Sequence, residues 1–158
     1  MTVVWFTGLP ACGKTTLAEL VRARLGGVLL DGDALRGVLE AGDYADRDAF
    51  YRRLAALATL LARQGHLVLV AATAHRRAYR DAARAAAPRF VEVHVATPLA
   101  ECERRDPKQL YARARAGDLP LLPGVGVAYE PPLAPEVIAS GGHDEAAVLA
   151  IERLVTAA

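Results

Sequence analysis

The run Gly8-Leu9-Pro10-Ala11-Cys12-Gly13-Lys14-Thr15 constrains the fold of this chain more than any other stretch. It fits G-x-x-x-x-G-K-[ST]. Its surroundings agree with it. Val3–Phe6 is a short apolar run that reads as a buried strand, and Leu17, Leu20, Val21 and Leu25 repeat at helical spacing until Gly26-Gly27. Strand, glycine loop and helix in that order make an anion cradle. The glycines let successive backbone N–H groups turn toward phosphate oxygens, and the helix start adds its positive end. Lys14 reaches the β- and γ-phosphates as a point charge, and Thr15 offers a hydroxyl to Mg²⁺. Gly8, Leu9, Pro10, Ala11, Cys12, Gly13, Lys14, Thr15 and Thr16 are therefore the expected ATP-binding set, with Thr15 also a metal ligand. Cys12 is read as a small spacer in the loop.

The remaining chain alternates strand and helix. Val28–Leu30, Leu67–Ala71, Phe90–Val95 and Val137-Ile138 read as strands. Asp46–Arg63, Arg76–Ala87, Pro98–Arg105, Gln109–Ala116 and Asp144–Val155 read as helices, the last capped by Asp144. In Asp46–Arg63 the residues Phe50, Leu54, Leu57 and Leu61 share one face. This alternation predicts an α/β fold: one P-loop kinase domain over residues 1–158, with a parallel sheet of about five strands and helices on both faces. The 53% hydrophobic content suffices for such a core, and a net charge of +1 gives no general attraction to nucleic acid or membrane. No apolar run approaches a membrane span, no signal peptide is legible, and two cysteines make no disulfide framework. The expected setting is cytoplasmic.

Asp31-Gly32-Asp33 follows the second strand, and in a parallel sheet the carboxyl ends of strands face the ligand crevice. Asp31 is assigned to the metal and Asp33 to the acceptor hydroxyl, as phosphoryl transfer requires. A turn with Asp33 capping a helix over Ala34–Leu39 is the plainer alternative. Arg76, Arg80 and Arg84 fall at helical spacing and read mostly as a solvated face. Arg104 reads as solvated too, whereas Arg105, Lys108, Arg113 and Arg115 precede a proline-rich loop and read as part of a lid over roughly residues 104–128. The four histidines show no metal spacing. Lys14 and Lys108 are the only lysines among 19 basic residues, and the absence of asparagine excludes an Asn-Lys-x-Asp base-reading motif.

Taken together, these motifs resemble the adenylylsulfate kinase (APS kinase) family. The carriers are G-L-P-A-C-G-K-T-T-L-A, L-D-G-D-A-L-R at Leu30–Arg36, D-R at Asp46-Arg47 and R-R at Arg52-Arg53. T-P-L-A-E-C-E-R-R-D-P-K-Q-L-Y over Thr97–Tyr111, A-R-A-G over Ala114–Gly117 and Y-E-P-P from Tyr129 complete the set. The resemblance implies ATP and Mg²⁺ as cofactors, Lys14 and Asp33 as catalytic residues, and a small-molecule acceptor, adenosine 5′-phosphosulfate, phosphorylated on its 3′-hydroxyl. It also implies homodimer formation. It places Asp33, Arg36, Arg47, Arg77 and Lys108 on the acceptor, with Leu122 where the family carries a stacking phenylalanine.

Departures gather on the acceptor side. Thr73-Ala74-His75-Arg76-Arg77 stands for I-S-P-[YF]-R, Phe50 for asparagine, Gln109 for glycine and Leu122 for phenylalanine. Tyr44 is a candidate replacement for the lost ring. A related kinase acting on another small hydroxyl is the alternative these departures raise. A non-catalytic ATP-binding module is a third, which Asp33→Asn would leave unaffected.

Overall fold

The computed structural model describes residues 1–39 and 46–157. Tyr44 lies outside the described residues. Val3–Thr7 (β1), Val28–Asp31 (β2), Val68–Ala71 (β3), Phe90–Val95 (β4) and Val137–Ala139 (β5) form one sheet. Its strand order is β2-β3-β1-β4-β5, and every described pairing is parallel. The helices are Lys14–Leu25 (α1), Gly32–Val38 (α2), Arg47–Arg63 (α3), Arg77–Ala86 (α4), Leu99–Arg105 (α5), Leu110–Arg115 (α6) and Glu145–Thr156 (α7).

The two-residue period of the strands divides the core in two. Val4, Phe6, Leu69, Val91 and Val93 point to one face, where they meet Leu17 and Val21 of α1 and Val148 and Ile151 of α7. Val3, Trp5, Val68, Val70 and Phe90 point to the other, against Phe50, Leu54 and Ala58 of α3 and Ala83 of α4. Both faces are covered, so the central strands are apolar throughout rather than alternating. Leu57 and Leu61 pack against the second cluster, as the periodicity of α3 requires. Asp46 caps α3 by accepting the Ala49 N–H, and Asp144 caps α7 by accepting the Ala147 N–H.

One alternative and one expectation need correction. The helix after β2 begins at Gly32, and its cap is Asp31 rather than Asp33. Arg80 is not part of a solvated face: it is 1% exposed. Its guanidinium donates to Glu92 at 2.7 Å, to the Glu130 carbonyl at 2.6 Å and to the Ala74 carbonyl. Three acceptors, one of them charged, satisfy a cation that could not otherwise be buried. Arg84 beside it pairs with Glu136 and Glu92.

Candidate active site

β1 and β3 end side by side at the centre of the sheet, and the loop Gly8–Gly13 leaves β1 there. Gly8 and Gly13 are required by close approach. A Cβ on Gly8 would lie 2.6 Å from the Val95 carbonyl oxygen, and one on Gly13 would lie 2.6 Å from the Gly142 nitrogen. Ala11 takes a left-handed conformation at φ 62°. Thr97 fixes the loop from behind, its hydroxyl donating to the Cys12 carbonyl at 2.6 Å. Cys12 is fully buried, consistent with a spacer. Lys14 Nζ lies over the loop, donating to the Leu9 carbonyl at 2.7 Å and the Gly8 carbonyl at 3.2 Å.

In front of the loop is a cavity of about 340 Å³. Pro10, Ala11, Gly13, Lys14, Thr15 and Thr16 form its phosphate side. Asp31, Asp33, Arg36, Arg47 and Lys108 also line it, so most of the expected site residues share one space. They arrive from four different places in the fold. Asp31 ends β2, Asp33 and Arg36 sit in α2, Arg47 opens α3, and Lys108 lies between α5 and α6. Five cations (Lys14, Arg36, Arg47, Arg105, Lys108) face three carboxylates (Asp31, Asp33, Asp106) across it. The excess suits a polyanionic ligand.

The two aspartates differ in circumstance. Asp31 Oδ1 accepts the N–H groups of Asp33 and Ala34, while Oδ2 accepts the Thr15 hydroxyl at 2.6 Å. Asp33 is exposed and pairs with Lys108, Oδ2 to Nζ at 2.6 Å. Thr15 Oγ1 and Asp31 Oδ2 are hard oxygens at the phosphate side. That donor pair fits Mg²⁺, which takes one or two protein oxygens together with phosphate oxygens and water. Among the described residues no group of three or more His, Cys, Asp or Glu is gathered to hold a metal by itself.

The segment expected as a lid, and Tyr129 just beyond it, are tied to the phosphate loop, α3 and the end of β1. Tyr111 donates its hydroxyl to the Pro10 carbonyl at 2.7 Å, which joins α6 to the phosphate loop. Burial holds that phenol above its usual range. Arg47 Nη2 donates to the Leu121 carbonyl at 2.5 Å. Tyr129 shares a 2.9 Å hydrogen bond with the Thr7 hydroxyl, and burial pushes its phenol up to about 12. Burial likewise pushes the Cys102 thiol up to about 11.

Two residues placed on the acceptor by resemblance do not reach this cavity. Leu122 is fully buried in the core cluster with α1 and α7, and Pro123 lines the cavity instead. Arg77 lies at a separate groove, where its Nε donates to the Pro131 carbonyl at 2.8 Å and its N–H to Glu130 at 2.7 Å. Phe50 and Thr73, expected on the acceptor side as departures from the family pattern, both line the cavity, and so does Tyr51, which sequence reasoning did not single out. The signal was available: Phe50 and Tyr51 follow Arg47 by three and four residues, one helical turn along the same face. His75 was expected only as a histidine without metal spacing within the departing stretch after β3. It is buried, and its Nδ1 finds no hydrogen-bond partner among the described residues.

The family model described as Adenylylsulphate kinase matches residues 1–140. An adenylyl-sulfate kinase of Rippkaea orientalis is 42% identical over 142 residues, covering 85% of this chain and 78% of that protein. One from Shewanella amazonensis is 44% identical over 146 residues, covering 86% and 74%. The structure of the Mycobacterium tuberculosis APS kinase CysC in complex with AMPPNP and APS superposes with a TM-score of 0.89 at 43% identity, over 98% of each chain. Sequence, fold and the shared cavity lead to one assignment: this chain belongs to the adenylylsulphate kinase family.

Proposed function

We propose that this protein transfers the γ-phosphate of ATP to the 3′-hydroxyl of adenosine 5′-phosphosulfate. The observation that carries the reading is the single cavity in which the phosphate loop faces Asp33, Arg36, Arg47 and Lys108. A donor phosphate and an anionic acceptor would have to meet there.

The chemistry follows from the positions. Loop N–H groups and the start of α1 hold the donor phosphates, and Lys14 leaves its carbonyl partners for the β- and γ-oxygens. Thr15 and Asp31 would hold Mg²⁺, which when bound neutralises charge on the phosphates. The acceptor oxygen forms its bond to the γ-phosphorus as the bond to the β,γ-bridging oxygen breaks. ADP leaves, and the hydroxyl proton passes to the Asp33 carboxylate. Lys108, 2.6 Å from that carboxylate, orients it. The remaining cations bind the phosphosulfate and the transferring phosphoryl group. Residues 104–128 act as the lid that excludes water during transfer. A cytoplasmic, reducing setting suits an ATP-consuming chain with two buried free cysteines.

A coupled ADP-release assay with ATP and Mg²⁺, run with and without adenosine 5′-phosphosulfate, tests the reading. Acceptor-dependent ADP release supports it. ATP binding without acceptor-dependent release, in a buffer where a control kinase works, overturns it. Asp33→Asn should lose most turnover, by about 10²-fold or more in kcat, while still binding ATP.

A further inference from the structure

Phe50 is a fully buried aromatic residue that nevertheless lines the acceptor side of the cavity. The Arg36 guanidinium carbon sits over its ring, 4.0 Å from the centroid. Arg36 belongs to α2 and Phe50 to α3, and the pair joins them across the cavity wall. The ring is itself held. Its edge contacts Tyr51, with centroids 5.3 Å apart, and Tyr51 stacks on Tyr79 at 4.6 Å. The Tyr51 hydroxyl accepts the Ala74 N–H at 3.0 Å, so this aromatic row is fastened to the chain just beyond β3.

From this arrangement we infer that Phe50 is a positioning residue for the acceptor: its ring holds the Arg36 guanidinium in place to meet the acceptor's negative charge. An arginine side chain has several rotatable bonds, and fixing it on binding costs conformational entropy. A ring face beneath the guanidinium removes much of that cost beforehand. The guanidinium is weakly hydrated and planar, so it stays on an aromatic face while its N–H edge remains available to an anion. Arg47 is held independently by the Leu121 carbonyl, so the ring's effect falls on Arg36. The inference rests on the proposed reaction for its acceptor, but not for the Phe50–Arg36 pairing.

Two measurements test it. Side-chain NMR of Arg36 should show ring-current shifts that vanish in Phe50→Leu and return in Phe50→Tyr. Initial rates at saturating ATP should show the KM for adenosine 5′-phosphosulfate rising about tenfold in Phe50→Leu, with kcat within about twofold and the KM for ATP unchanged. Phe50→Tyr should restore the acceptor KM. Phe50→Leu also removes packing, so Arg36→Lys and the double variant separate the effects. If the ring acts through Arg36, the double variant is no worse than Arg36→Lys alone. Unmoved Arg36 resonances, an unchanged acceptor KM, or fully additive losses would each overturn the inference. A wild-type protein with no acceptor-dependent turnover would overturn the proposed reaction instead, and the resonances would still decide the pairing.

Discussion

His75 shows how one buried side chain makes this fold sensitive to acid. Burial lowers its imidazole to about 4, and the Arg47 and Arg76 charges push the same way against Glu130 and Asp48. The unfolded chain binds that proton near pH 6.5 and the folded chain only near 4. Stability from this group is therefore complete above about pH 6.5 and is lost as pH falls toward 4. The loss should be of the order of 3 kcal/mol. Urea unfolding at pH 7 and pH 4.5 measures it, and His75→Phe should flatten the difference. Gln109 is a second residue-scale case. It occupies a left-handed conformation, φ 54°, just before α6. That region favours glycine, so Gln109→Gly should raise stability by about 0.5–1 kcal/mol, read as a shift in the urea midpoint.

Among elements, α4 holds more of the structure than its sequence suggests. Arg80 reaches from α4 to Glu92 on β4, to the carbonyl of Ala74 beyond β3 and to the carbonyl of Glu130. Ala74 has φ 41°, and its N–H and carbonyl are held by Tyr51 and Arg80 respectively. A strained residue persists where its surroundings over-determine it. Arg80→Ala would leave the Glu92 side chain with its Arg84 contact at 3.3 Å and would strip the buried Ala74 carbonyl and the half-buried Glu130 carbonyl of a donor. The expected cost is about 3–5 kcal/mol in chemical denaturation. Replacing both Arg80 and Glu92 with methionine should recover part of that loss. Arginines at i and i+4 looked like a solvated stripe because periodicity reports which residues share a face, not what that face meets. The partners, Glu92 and the residues near 130, are distant in sequence.

At the scale of the whole molecule, the cavity joins α2, α3, the phosphate loop and the α5–α6 segment, so a ligand there should stabilise all of them together. A non-hydrolysable ATP analogue at 100 times its Kd should add about 2.7 kcal/mol. For a chain of this length that raises Tm by about 5–10 °C in a thermal melt. Lys14→Ala should lose most of the shift.

Much of this was legible in the sequence, because the information was local. The G-x-x-x-x-G-K-[ST] spacing, the strand before it and the helix after it determined the phosphate loop. Apolar runs alternating with helical periods determined a parallel sheet covered on both faces. Asp144 was legible as a cap because a cap bonds within three residues. Other features depended on long-range partners and became visible only in three dimensions. Only the fold decided that Leu122 faces the core rather than the cavity, and that Arg77 lies at another groove. Only packing decided that Phe50 carries Arg36 and that Arg80 is buried. A residue's type and period state what it can do, whereas the neighbour brought to it by sheet order and crossover decides which of those things it does.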